Sequence, residues 1–132
     1  MKRLRTILIA DDEPIVRNLI VVVLSREGYS VLEADTAAEA LAVSNNCEGI
    51  IDLLIADHSL KTMMGWQVAE KMCEARPDLK TLYISGYPLE KLAQEGGIGV
   101  VTNANFLAKP FSREALIVKI RDILQPPMAT SN

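Results

Sequence analysis

The sequence predicts an α/β protein, a doubly wound five-stranded parallel sheet with helices on both faces. Five short apolar runs, Thr6–Ala10, Val31–Ala34, Leu53–Ala56, Leu82–Ile84 and Phe106–Ala108, alternate with segments of helical periodicity. Ile7-Leu8-Ile9 and Leu53-Leu54-Ile55 are apolar without alternation, which suits strands covered on both faces. A length of 132 residues fits one core of this kind.

Each element has its own signals. The first strand gives way to Asp12-Glu13-Pro14, an acidic start with proline in the first helical turn. Ile15, Leu19, Val22 and Val23 recur at helical spacing, and Gly28 is placed to cap the end. Val31-Leu32-Glu33-Ala34 carries a charge in mid-run and is expected at a sheet edge. Thr36 followed by Glu39 is a capping-box pattern, and Ala37, Ala40 and Leu41 supply a small inward face. Helix three, beginning near Gly65, has the stripe Val68, Ala69, Met72, Cys73 and must stop before Pro77. Leu89, Leu92 and Ala93 allow a short or irregular fourth helix, ended by Gly96, Gly97 and Gly99, with Val100–Asn105 extended or turn. Ser112 caps the last helix, whose stripe Leu116, Ile120, Ile123, Leu124 ends at Pro126-Pro127. The domain is expected over 1–125 and a frayed tail over 126–132.

Composition excludes several classes. With 49% hydrophobic and 23% charged residues the chain is an ordinary folding sequence, and a net charge of −3 gives no reason to expect direct nucleic-acid binding. Cys47 and Cys73 lack disulfide or zinc spacing and are read as plain thiols. No apolar run approaches a membrane span or a signal peptide, so the expected compartment is the cytoplasm.

In a doubly wound sheet, ligands bind beyond the carboxyl ends of the strands. The residues found there are Asp11 and Asp12 after the first strand, Asp57 after the third, Ser85 after the fourth and Lys109 after the fifth. Three carboxylates held together repel unless a cation joins them, and hard oxygen ligands suit Mg²⁺. With such a cation, one carboxylate can attack an activated phosphorus while Lys109 and the Ser85 hydroxyl contact phosphoryl oxygens. Each residue alone has a plainer reading: acidic residues favour any helix start, Asp57 and Ser85-Gly86 suit turns, and Lys109 suits solvent. Their conjunction at one sheet edge carries the functional reading. His58 beside the acceptor could shape access or contact metal-bound water, but it is read as an exposed residue without a metal role, and Trp66 as packing against its neighbours.

Ile-Ala-Asp-Asp-Glu-Pro at 9–14, Asp57 with Met63 and Gly65 downstream, Tyr-Ile-Ser-Gly at 83–86 and Phe-Leu-Ala-Lys-Pro-Phe at 106–111 together resemble the receiver domains of two-component response regulators, from about Thr6 to Leu124. The resemblance implies a flavodoxin-like sheet ordered 2-1-3-4-5 and a cis Lys109–Pro110 bond. It also implies Asp57 as phosphoacceptor, and Mg²⁺ held by Asp11, Asp12, Asp57 and the Ser59 backbone carbonyl. Lys109 becomes the phosphate-contacting lysine, and Ser85 with Phe106 the switch pair. The implied partners are a histidine kinase or histidine phosphotransfer protein and a downstream protein target, with homodimerisation on phosphorylation left open. Such a domain is a regulatory phosphoacceptor that catalyses only its own phosphorylation and dephosphorylation. Phe106 departs from the family's frequent Tyr, and Lys61 stands where many members have Pro. Ser85-Gly86-Tyr87 is similar to receivers attached to hybrid histidine kinases.

Two alternatives compete. A haloacid-dehalogenase-like phosphatase also forms an aspartyl phosphate, but its nucleophile follows the first strand. A pseudo-receiver binding module would lack an acceptor, a metal carboxylate or the lysine, and none is missing here. No recognisable output segment follows Gln125, which leaves a stand-alone regulator and a domain of a longer chain both open.

Overall fold

The computed structural model describes residues 3–94 and 102–124. Strands β1 (Thr6–Ala10), β2 (Ser30–Ala34), β3 (Leu53–Asp57), β4 (Lys80–Ser85) and β5 (Phe106–Ala108) alternate with helices α1 (Pro14–Arg26), α2 (Ala37–Asn46), α3 (Gly65–Ala75), α4 (Leu89–Gln94) and α5 (Arg113–Leu124). All pairings are parallel, in the order β2-β1-β3-β4-β5, so β2 with its mid-strand Glu33 is an edge as expected.

Strand alternation divides the core in two. Ile7, Ile9, Leu53, Ile55, Leu82 and Ile84 meet Ile20, Val23 and Leu24 of α1 and Leu116, Ile120 and Leu124 of α5. Leu8, Ala10, Leu54, Ala56 and Tyr83 turn the other way, toward Ala37 and Ala40 of α2 and Val68, Ala69 and Met72 of α3. Alanines dominate that second layer and let α2 approach the sheet closely.

The inward face of α1 differs from the expected set. Val23 is buried, but Ile15 is 85% exposed, Leu19 49% and Val22 48%, while Ile20 and Leu24 take the core positions. At about 100° per residue the apolar side chains cover more than half of the helix circumference. Periodicity therefore offers two faces, and contact with the sheet and α5 selects between them.

Several caps match their signals. Gly28 follows α1 with φ of 90°, the left-handed region that glycine enters without steric cost. The Glu39 N–H donates to Thr36 Oγ1 at 3.0 Å, but the Glu39 carboxylate accepts from the Asp35 N–H, one residue earlier than in a reciprocal box. The Ala115 N–H donates to Ser112 Oγ at 3.0 Å. Arg76 ties the α2–β3 connection to the end of α3 by donating to the carbonyls of Ser44, Cys47 and Gly49. The short fourth helix is present as α4, and Thr102 caps a 3-10 turn at Asn103–Asn105. The expectations for Gly96, Gly97 and Gly99, and for the tail over 126–132, fall outside the described residues. Among those described, no helix is long and apolar enough to cross a membrane, and both cysteines are free thiols.

Candidate functional site

The parallel register brings the carboxyl ends of β1, β3, β4 and β5 to one edge. Ala10 pairs with Ala56, Asp57 with Ile84 and Ser85 with Ala108, so the residues that follow emerge side by side. Asp11, Asp12 and Asp57 each offer a carboxylate oxygen, and these three atoms lie within 4.8 Å of one another.

Asp11 is completely buried. Its Oδ1 accepts from the Glu13 N–H at 2.8 Å, which bends the chain from β1 into α1. Its Oδ2 is fully buried, with Lys109 Nζ at 3.2 Å as an ion pair but without a hydrogen-bond partner of its own. Burial raises the Asp11 pKa above the usual aspartate value, against the lowering influence of the Glu13 N–H and Lys109. An orphaned buried oxygen among three carboxylates fits a hard divalent cation such as Mg²⁺. Arg17 supports the turn by donating to the Asp11 carbonyl at 2.7 Å while pairing with Glu33 of β2.

Lys109 reaches back across the edge, 3.2 Å from Asp57 Oδ2, and also pairs with Glu13. Burial alone lowers a lysine pKa, but the Glu13 hydrogen bond and the Asp57 and Asp11 charges outweigh it, so the ammonium is held above its ordinary value. The Lys109–Pro110 bond is cis, as the resemblance implied. Asp57 Oδ1 accepts from the Ser59 N–H at 3.3 Å. Ser85 is fully buried; its Oγ accepts from the Tyr87 N–H at 2.9 Å, leaving the hydroxyl proton free to donate elsewhere, and its carbonyl accepts from the Lys109 N–H at 2.7 Å. Phe106 is half-buried and pairs in register with Tyr83.

Backbone packing also fixes Asp57. A Cβ on Gly65 would stand 2.3 Å from the Asp57 carbonyl oxygen, so only glycine allows α3 to start directly against the end of β3. In the intervening loop Lys61 has φ of 64°, and the Thr62 N–H donates to the Leu60 carbonyl at 2.7 Å, a γ-turn. Proline is locked near −65° and could not adopt that conformation.

Two participants escaped the sequence reading. Glu13 was assigned to the helix dipole, yet its side chain engages Lys109. His58 is not exposed: it is 7% accessible, with its Nδ1 3.6 Å from Asp57 Oδ1. The first is foreshadowed by the unbroken acidic run Asp11-Asp12-Glu13, and the second by the position of His58 directly after the acceptor. Trp66 packs partly buried against the α2–α3 layer, as expected.

A cleft of about 700 Å³ opens over Asp57 between the start of α1, Tyr87 and the β5–α5 turn, with Val16, Leu19, Pro110 and Phe111 on its apolar walls.

A family model described as the response regulator receiver domain matches residues 7–121. The chain is 30% identical over 120 residues to the sensor kinase CckA of Brucella abortus (strain 2308), covering 91% of this chain and 12% of that protein. It is 30% identical over 121 residues to the response regulator receiver protein CpdR of the same organism, covering 92% of this chain and 98% of that protein. A solved response regulator receiver domain protein (CheY-like) from Methanospirillum hungatei JF-1 superposes with a TM-score of 0.76 at 31% identity, covering 92% of this chain and 94% of the other. The chain spans 12% of CckA and 26% to 50% of three transcriptional regulatory proteins it also matches, but nearly all of CpdR.

Proposed function

We propose, from the premise that this chain belongs to the response regulator receiver family of two-component signalling, that Asp57 accepts a phosphoryl group from a phosphohistidine of a histidine kinase or histidine phosphotransfer protein. The observation that carries this reading is the convergence of Asp11, Asp12, Asp57 and Lys109 at one sheet edge. An Asp57 oxygen forms the new O–P bond as the P–N bond breaks, and the leaving imidazole nitrogen keeps the electron pair and takes up a proton. Lys109 offers a fixed positive charge to the transferred oxygens, and the buried Ser85 hydroxyl offers a donor. Asp11, Asp12, Asp57 and the Ser59 carbonyl would hold Mg²⁺, which supplies charge neutralisation for the transferred group.

The apolar walls of the cleft supply the partner's landing place. Val16, Leu19, Pro110 and Phe111 surround the acceptor, and exposed Ile15 and Val22 extend the apolar strip along α1. A helix presenting a histidine would bury this strip while delivering the imidazole to Asp57. Phosphorylation then draws the Ser85 hydroxyl toward the new dianion and lets Phe106 turn inward, altering the surface read by a downstream protein. In this reading the domain works in the cytoplasm and catalyses only its own phosphorylation and dephosphorylation.

The family match sets aside the dehalogenase-type phosphatase; a pseudo-receiver is separated by experiment. With Mg²⁺ and acetyl phosphate, intact-mass analysis should show one added phosphoryl group that Asp57→Asn prevents. Equal labelling of the two proteins would remove Asp57 from its role, and no labelling of either by acetyl phosphate or a phosphorylated kinase would favour the pseudo-receiver.

A further inference from the structure

His58 follows the acceptor directly and is held from several sides. Its N–H donates to the Ile84 carbonyl at 3.0 Å and its carbonyl accepts from the Gly65 N–H at 2.8 Å. The imidazole meets the Tyr87 ring edge-on, with centroids 5.3 Å apart and planes at 89°. The Lys91 ammonium lies 4.5 Å from the centre of the Tyr87 ring, a cation–π contact that ties this aromatic to α4. Despite this support, Nδ1 is buried and has no hydrogen-bond partner. Asp57 Oδ1 stands 3.6 Å from it, beyond a hydrogen bond, on the opposite side of the carboxylate from the oxygen that Lys109 engages. Buried polar atoms are almost always paired, so an orphan on a braced ring facing a phosphoacceptor calls for a ligand that arrives later.

We propose that His58 is a further phosphoryl-contacting residue: its Nδ1–H donates a hydrogen bond to an oxygen of the group carried by Asp57, with Tyr87 holding the ring in place. The inference rests on the assignment of Asp57 as acceptor. The contact requires only that Nδ1 carry a proton. Lys109 and His58 then approach the phosphoryl group from the two sides of the carboxylate, one through its ammonium and one through a ring N–H. Tyr87 is a positioning residue here, and Lys91 links that brace to α4.

Beryllofluoride, which mimics an aspartyl phosphate, provides the test. Its affinity in the presence of Mg²⁺ is measured for wild type, His58→Phe, His58→Asn and Tyr87→Leu, with Mg²⁺ affinity measured separately. His58→Phe should weaken beryllofluoride binding about tenfold or more, the usual effect of losing a hydrogen bond to an anion, and leave Mg²⁺ affinity within about twofold. His58→Asn, whose amide nitrogen can lie near the lost Nδ1, should recover most of the affinity, and Tyr87→Leu should fall between. His58 is the only histidine in the chain, so its ¹⁵Nδ1 resonance can be followed without substitution; it should shift when beryllofluoride binds. The inference is overturned if His58→Phe binds as wild type does, if His58→Asn is as weak as His58→Phe, or if the ¹⁵Nδ1 resonance stays unchanged in occupied protein. Failure of the acceptor assignment looks different: wild type then binds no beryllofluoride even with Mg²⁺ present.

Discussion

Gly65→Ala offers a direct test of how the fold places the acceptor. The added Cβ would lie 2.3 Å from the Asp57 carbonyl oxygen, 3.2 Å from its carbonyl carbon and 3.3 Å from Ala56 Cβ, where even close contacts of this kind stay beyond 3.0 Å. The nearest atoms are backbone, at the end of a strand whose residues are all buried, so no side chain can swing away. Relief requires the start of α3 or the end of β3 to move by most of an ångström, which stretches the 2.8 Å bond from the Gly65 N–H to the His58 carbonyl. Overpacking of this kind costs about 1–3 kcal/mol, and the weakened hydrogen bond adds about 1 kcal/mol. A loss of about 2–4 kcal/mol is a large share of a typical domain stability of roughly 5–15 kcal/mol. The displacement also reaches the chemistry, because misplacing a reacting group by about 1 Å can cost about a hundredfold in rate. Urea unfolding should show the stability loss, and acetyl phosphate labelling followed by mass spectrometry should slow at least about tenfold. Gly49→Ala is the control, since a Cβ there meets nothing within 4 Å. If Gly65→Ala unfolded within about 0.5 kcal/mol of wild type and was labelled at the wild-type rate, the close approach would not be what fixes Asp57.

The Lys61 γ-turn predicts opposite effects for two substitutions: Lys61→Pro should cost about 2 kcal/mol or more because the ring forbids a φ of 64°, whereas Lys61→Gly should be neutral or stabilise by up to about 1 kcal/mol. Equal unfolding midpoints for the two variants would contradict the left-handed assignment. At the other end of the sheet, hydrogen bonding from Arg3 holds the Asp52 carboxyl below its ordinary pKa, assisted by the Thr6 N–H at 2.8 Å and opposed by burial. A depressed carboxyl contributes stability above its unfolded-state value and loses it as pH falls through the folded one. Asp52→Asn should therefore cost no more than about 1 kcal/mol at pH 7, since the Arg3 side chain is half exposed and screened, with the difference from wild type closing as pH falls below the ordinary aspartate range. A gap that stayed constant on acidification would show that shape, not charge, is what Asp52 contributes.

The strands were legible as apolar runs and their order was implied by the family resemblance, while the candidate site was legible for a physical reason: in a parallel sheet a residue's place relative to a strand end fixes which edge it reaches. Asp11, Asp12, Asp57, Ser85 and Lys109 are each named by that rule, however far apart they lie in the chain. What the sequence left open depends on neighbours that periodicity does not specify. The face of α1 was open because apolar residues cover more than half of its circumference, and α5 and the sheet make the choice. His58 reads as exposed because a lone histidine beside a strand end usually faces solvent, yet its carbonyl is tied to the Gly65 N–H and the Tyr87 ring, two residues beyond β4, meets its imidazole. Lys61 stands where many family members have Pro, and its positive φ, which proline cannot adopt, is not readable from the sequence. These three cases share an origin. All depend on tertiary neighbours rather than on local pattern, and two of them lie in the seven residues between Asp57 and Gly65, the segment that leads from the acceptor into α3.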